Sequence, residues 1–66
     1  MWRLEEVVLH PDEVEALKLY EIDGLDQIKA ANKMKISQPT FARILDSANK
    51  KVADALIKGK AIRMEK

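Results

Sequence analysis

The chain has 66 residues, no cysteine and a formal net charge of +1. This length allows one small domain, and the lack of cysteine excludes disulfides and thiolate metal sites. No apolar run approaches the roughly 20 residues that cross a bilayer, and Glu5 and Glu6 interrupt the apolar residues near the N-terminus. A cytoplasmic protein without a membrane partner is therefore expected.

Charge is distributed unevenly along the chain. Residues 1–26 carry two basic and eight acidic side chains, whereas residues 27–66 carry ten basic and three acidic ones. If the second part folds into one surface, that surface is basic and suits a polyanion. The alternative is that these charges only solvate exposed helix faces, where charged runs are common.

Two elements are expected in the acidic part. Residues 1–9 partly alternate polar and apolar side chains and contain β-branched valines near their end, which predicts a short strand or an extended arm. Pro11 ends this segment and begins a helix at about residues 11–21, because proline followed by acidic residues suits a first helical turn. Leu17 and Ile22 are expected on its apolar face.

A second helix and a tight turn follow. The helix is predicted at about residues 25–34, and a spacing of three places four apolar side chains towards the core. These are Leu25, Ile28, Ala31 and Met34. Lys35-Ile36 forms the turn, and Ser37 is expected to cap the next helix.

The third helix is predicted at about residues 38–58, roughly 30 Å long at 1.5 Å per residue. Its apolar stripe consists of Phe41, Ile44, Leu45, Ala48, Val52, Ala55 and Leu56. Gly59 is expected to end this helix. Asn49 can mark a bend, so whether one helix or two occupy this stretch is left open. Residues 60–65 alternate polar and apolar side chains, which indicates a tail or a short strand. Pairing with the first strand, within one chain or between two, is left open.

These elements predict a mainly α fold over residues 1–66. It is a single three-helix helix-turn-helix domain with a long third helix and short terminal strands. In a helix-turn-helix, the second helix of the motif enters the major groove of DNA, and the exposed side chains of its N-terminal half contact base edges.

The candidate contacts lie opposite the apolar stripe when the third helix is drawn at about 100° per residue. Arg43 can bind guanine through two hydrogen bonds, and Gln38 can bind adenine. Contacts with DNA phosphates are expected from Lys50 and Lys51 and, around the turn, from Lys29, Lys33 and Lys35. Asp46 is expected to orient Arg43 or to accept a hydrogen bond from cytosine, and the alternative is that the helix docks in a rotated orientation. The predicted DNA-binding residues are Ser37, Gln38, Pro39, Thr40, Arg43, Ser47, Lys50, Lys35 and Lys33.

One combination of residues extends over positions 9–62. It comprises Asp12–Leu19, Asp23–Leu25, Gln27, Ala30-Ala31, Met34, Ile36-Ser37, Pro39–Phe41, Arg43–Leu45, Ala48 and Val52–Lys60. This combination resembles a small prokaryotic family of uncharacterised, predicted DNA-binding proteins. The helix-turn-helix of that family is similar to the promoter-reading domain of bacterial sigma factors. The resemblance implies transcription regulation by the helix that starts at Ser37, and no enzyme activity. Lys35 departs from it, since glycine is usual there, and Gln38 replaces a common arginine.

Two functions of different classes are considered. The first is a DNA-binding transcription regulator that binds double-stranded DNA, and the small size and the terminal strands favour a homodimer. The alternative is a protein-interaction module that contacts polymerase or a partner regulator through the acidic first helix. No catalytic residue, cofactor, metal or small-molecule substrate is predicted, because the chain has one histidine and no glycine-rich phosphate loop.

Overall fold

The structure is a computed structural model that describes residues 5–65. It is mainly helical, with three helices and two short strands. In chain order the elements are β1 (Glu6–Leu9), α1 (Pro11–Leu17) continued by a π-helical turn (Lys18–Ile22), α2 (Gln27–Met34), α3 (Gln38–Lys58) and β2 (Ala61–Met64). Within the described residues, no helix combines the length and apolarity needed to cross a bilayer.

Local capping residues explain most helix ends. The Asp26 carboxylate accepts a hydrogen bond from the Lys29 amide at 2.8 Å, and Ser37 Oγ accepts one from the Thr40 amide at 3.3 Å. Gly59 ends α3 with a φ of 68°, a conformation that glycine adopts without a Cβ penalty. The ends predicted at Ser37 and Gly59 are confirmed, whereas α2 begins at Gln27, two residues later than predicted, because Asp26 caps it. α3 runs unbroken through Asn49.

The helical core lies between α1, α2 and the first half of α3. Phe41 is its largest fully buried side chain, and small alanines of α1 and α2 allow close packing around it. The cluster of buried core residues is Ala16, Leu19, Ala30, Ala31, Phe41 and Leu45. Met34, Leu25 and Ile44 pack against this cluster as half-buried residues.

Three predicted core residues are exposed, so those predictions are wrong. Ile22 is 79% exposed because it ends the π-helical turn, whose wider i→i+5 bonding shifts the side-chain phase. Ile28 is 59% exposed because α2 turns Ala30 and Ala31 inward instead. Leu56 is 75% exposed, whereas the adjacent Ala55 is 3% exposed, so this end of α3 is covered only on the Ala55 side.

The two strands pair within one chain. β1 and β2 are parallel, with Glu6 opposite Ala61 and Leu9 opposite Met64. The three helices form the connection between them, so the first and last described elements lie side by side. The predicted terminal strands are thus confirmed for residues 6–9 and 61–64, while residues 1–4 of the predicted strand or arm lie outside the described part.

A buried carboxylate links three of these elements. Glu13 of α1 is 4% exposed, and its Oε1 accepts hydrogen bonds from Lys51 Nζ at 2.7 Å and from the His10 amide at 2.9 Å. Its Oε2 accepts one from Ser47 Oγ at 2.6 Å. Lys51 Nζ also donates to the Val8 carbonyl of β1 at 2.7 Å. The carboxylate therefore caps the start of α1 at His10 and joins α1 to the middle of α3, and Lys51 extends the link to β1.

This cluster corrects two predictions. Lys51 was expected at a DNA phosphate, and the alternative function counted Glu13 in the acidic first helix that contacts a partner protein, but each is the other's partner. Burial raises the pKa of Glu13, but hydrogen bonds from His10, Lys51 and Ser47 and the charge of Lys51 outweigh it. The net result lowers the pKa from its ordinary 4.5 to about 2.

The Glu13 cluster makes stability depend on acid pH. Since its folded pKa lies below its unfolded one, Glu13 contributes its full stabilisation above about pH 4.5 and loses it as the pH falls towards 2. The shift corresponds to about 3 kcal/mol. Glu13→Gln should therefore lower the free energy of unfolding by about that amount at pH 7, and by about half of it or less at pH 3, as measured by urea denaturation.

The matched control is Glu15→Gln, which removes an exposed carboxylate from the same helix. It should change the free energy of unfolding by less than about 0.5 kcal/mol at either pH. An equal effect of Glu13→Gln at pH 7 and pH 3 would contradict the assigned pKa.

Lys35 offers a separate test of backbone strain. Its φ of 59° lies in the left-handed region, which costs a residue with a Cβ about 1–2 kcal/mol. Lys35→Gly should raise the free energy of unfolding by about 0.5–1 kcal/mol, because the gain exceeds the entropy that glycine adds to the unfolded chain. Thermal denaturation should show a rise in melting temperature. Lys33→Gly, within α2, should instead lower it.

Candidate nucleic-acid interface

The turn between α2 and α3 has a defined hydrogen-bond pattern. The Ile36 amide donates to the Ala31 carbonyl at 3.0 Å, and the Lys35 amide donates to the Asn32 carbonyl at 3.1 Å. With Lys35 in the left-handed conformation, these two bonds form a Schellman motif. Ile36 packs against the helical core, which fixes the chain's direction as it enters α3.

The first turns of α3 have an exposed polar face and a buried apolar face. Gln38, Thr40 and Arg43 are exposed, whereas Phe41 and Leu45 are buried in the core behind them. The exposed side chains therefore lie on the outer face of a helix whose inner face is held by packing. Pro39 is also exposed, as the helical spacing predicts.

Two hydroxyl groups at the start of α3 contact each other. Ser37 Oγ donates to Thr40 Oγ1 at 2.9 Å, in addition to capping the helix through the Thr40 amide. The Thr40 oxygen acts as acceptor in this bond, so its own hydrogen can be donated outward. This arrangement makes Thr40 a donor next to Gln38 and Arg43.

The distribution of ion pairs distinguishes this surface from the rest of the molecule. Six of the described basic residues form ion pairs with acidic side chains: Lys18, Lys50, Lys51, Lys58, Lys60 and Arg63. Within residues 5–65, the remaining four form none: Lys29, Lys33, Lys35 and Arg43. All four belong to α2, the turn or the first half of α3. Residues 27–45 contain no acidic side chain, and Asp46, the next acidic residue, pairs with Lys50.

The structure brings together seven of the nine predicted DNA-binding residues. Ser37, Gln38, Pro39, Thr40 and Arg43 lie in the first turns of α3 or at its cap, with Lys33 and Lys35 beside them at the end of α2 and in the turn. Ser47 and Lys50 lie farther along α3. Ser47 donates to Glu13, and Lys50 pairs with Asp46 at 3.1 Å.

One detail differs from the sequence analysis, since Asp46 pairs with Lys50 rather than orienting Arg43. Lys29, which was expected near the DNA backbone, is one of the four basic residues without an ion pair in the described chain, and it lies in the acid-free run of residues 27–45. Among the described residues, no group of three or more histidine, aspartate and glutamate side chains could hold a metal ion.

Comparisons with known proteins place the chain in a family. It is 54% identical over 65 residues to a UPF0251 protein of Thermoanaerobacter sp. (strain X514), covering 98% of this chain and 58% of the relative. It is 58% identical over 62 residues to a UPF0251 protein of Moorella thermoacetica, covering 94% and 42%. For a UPF0251 protein of Chlorobaculum tepidum the identity is 57% over 63 residues, covering 96% and 41%.

The chain spans about half the length of the curated relatives it matches. No solved structure matches it. A family profile described as "Protein of unknown function DUF134" matches residues 2–66, almost the whole chain. On this match and these identities, the protein belongs to the DUF134 family, whose curated relatives are called UPF0251 proteins.

Proposed function

We propose that this protein is a transcription regulator that binds double-stranded DNA through the helix-turn-helix α2–turn–α3. The observation that carries the proposal is the position of its unpaired charge. Within residues 5–65, the four basic side chains of residues 27–45 have no acidic partner, whereas every other basic side chain has one. Phosphate groups of DNA would supply the missing counter-charge.

The geometry suits insertion of α3 into the major groove. Gln38, Thr40 and Arg43 are exposed on the first two turns of α3, where a recognition helix contacts base edges. Arg43 would bind guanine at O6 and N7, and Gln38 would bind adenine at N6 and N7. Pro39 would contact a thymine methyl group.

The lysines of α2 and the turn would bind the DNA backbone. Lys29, Lys33 and Lys35 are exposed and flank the start of α3, so they would lie near phosphates when α3 enters the groove. Such contacts position the domain on DNA without reading sequence. The resemblance to the promoter-reading domain of sigma factors supports the same orientation.

Titration with a random-sequence DNA duplex at two or more salt concentrations tests the proposal. If the four unpaired cations neutralise phosphates, the logarithm of the binding constant should fall with the logarithm of salt concentration with a slope of about −3 to −4. NMR amide shifts should cluster on residues 29–43. Absence of binding at low salt would contradict the proposal and favour the protein-interaction module.

Arg43→Ala tests base recognition. On a duplex selected for tight binding, loss of a bidentate contact with guanine should weaken affinity by about tenfold or more, and on random duplexes by less. Fluorescence anisotropy measures both. The matched control is Lys58→Ala, which removes an exposed cation from the far end of the same helix and should leave both affinities within about twofold. Equal losses in the two variants would contradict a specific role for Arg43.

Lys33→Ala tests backbone contact. Because phosphates carry no sequence information, affinity for selected and random duplexes should fall by the same factor, and the magnitude of the salt slope should decrease by about 1. Lys18→Ala is the control, since Lys18 pairs with Asp23 outside the motif. A Lys33→Ala variant that loses affinity only for the selected duplex would contradict this assignment.

A further inference from the structure

β2 is an edge strand with an unused side. The amides of Ala61 and Glu65 donate to the Glu5 and Leu9 carbonyls of the neighbouring chain segment, each at 2.9 Å. In a parallel ladder, alternate residues of a strand direct their main-chain groups towards the same neighbour. Ile62 and Met64 must therefore direct their N–H and C=O groups away from β1. In the described part of the chain, nothing pairs with this edge.

The same edge is bordered by exposed apolar surface. Ile62 is 44% exposed and Met64 is 63% exposed. Met64 also lines an almost entirely apolar groove of about 280 Å³, together with Leu9 of β1 and Leu17 of α1. Ile22, at the end of the π-helical turn, lines the same groove. An unpaired strand edge beside an open apolar groove is suited to the addition of another strand.

We propose that the strand added here is β2 of a second copy of this chain. Two β2 strands that pair antiparallel about a two-fold axis would form a four-stranded sheet in the order β1–β2–β2–β1. A two-fold interface uses the same surface on both copies, so each edge satisfies the other. It also extends a two-stranded sheet, which is marginally stable by itself, to four strands.

Charge complementarity selects the register of this pairing. Met64 directs its main-chain groups outward, so it can lie on the axis opposite Met64 of the second copy. Arg63 then lies directly opposite Glu65 of the second copy, and the pair occurs twice. Directly opposite side chains are about 4.5–5.5 Å apart at Cβ, within reach of an ion pair.

The existing ion pairs leave atoms available for this contact. Arg63 uses Nε for Glu6, at 3.2 Å, so the terminal guanidinium nitrogens have unused donors. Glu65 uses Oε1 for His10, at 3.1 Å, which leaves Oε2. Met64 of the second copy would lie on the groove side of the sheet, where its flexible side chain could fill the apolar groove.

The β2 edge is surrounded by both basic and acidic side chains, which favours a second copy of the chain over a polyanion as the binding partner. Arg63 and Lys60 are accompanied by Glu6, Asp54 and Glu65, so the surroundings carry no excess of positive charge. A nucleic acid or an anionic membrane would gain little here. The edge also lies past the end of α3, about 20 Å along the helix from Arg43, so pairing leaves the proposed DNA surface open. The inference does not depend on the proposed function.

Sedimentation equilibrium from micromolar to millimolar concentration tests the proposal. A concentration-dependent dimer is expected, with Met64→Lys raising its dissociation constant by about tenfold or more, because two ammonium groups would meet on the axis. The matched control is Ile57→Lys, at an apolar residue of α3 that is also largely exposed, which should leave the constant within about twofold. Circular dichroism checks that both variants retain their helix content.

A charge swap tests the register. Arg63→Glu should weaken the dimer, and Arg63→Glu combined with Glu65→Arg should restore it, although both variants carry the same repulsion from Glu6. Amide hydrogen exchange at Ile62 and Met64 should slow as the concentration rises, whereas exchange at Arg63 should be slow throughout.

Four results would overturn the proposal: a monomer at millimolar concentration, equal losses from Met64→Lys and Ile57→Lys, no rescue by the charge swap, or concentration-independent exchange at Ile62 and Met64. None of these results depends on whether the protein binds DNA.

Discussion

The buried carboxylate of Glu13 is the interaction on which the placement of the other elements depends. It accepts hydrogen bonds from the start of α1 and from two positions one turn apart on α3, while Lys51 extends the network to the β1 backbone. A buried carboxylate without these partners would be strongly destabilising. The network therefore holds the middle of α3 in the same rotation about its axis that the packing of Phe41 and Leu45 gives the first half. In that rotation Gln38 and Arg43 point outward.

Charge pairing divides the molecule into two regions. In the second half of α3 and in the sheet, the basic side chains lie close to acidic ones that neutralise them. Along residues 27–45, no acidic residue is present to do so. The small net charge of +1 thus conceals a local basic field, because that field is offset by acidic residues of α1 and its π-helical turn that form no ion pair within residues 5–65, such as Asp12, Glu15 and Glu21.

The features that were predictable from the sequence are those with local causes. Pro11, Asp26, Ser37 and Gly59 mark helix ends through their own backbone or side-chain chemistry, and helical spacing correctly placed Phe41 inside and Arg43 outside. The role of Glu13 was not predictable in this way. An acidic residue in a first helical turn is normally exposed, and its partner Lys51 is 38 residues away. The predicted burial of Ile28 and of Ile22, at the end of the π-helical turn, was wrong for a related reason. Packing against other elements decides both positions. The DNA contacts themselves stay a prediction, because their partner is not part of the chain.

The unbroken course of α3 has a mechanical consequence. With no kink between Gln38 and Lys58, the helix is a lever about 30 Å long that connects the sheet to the basic surface. A rotation of about 10° at the sheet end would displace the first turn of α3 by about 5 Å, more than the 3.4 Å rise of one base pair. Small changes in how the sheet is held would therefore be amplified into changes of alignment at the opposite end of the molecule.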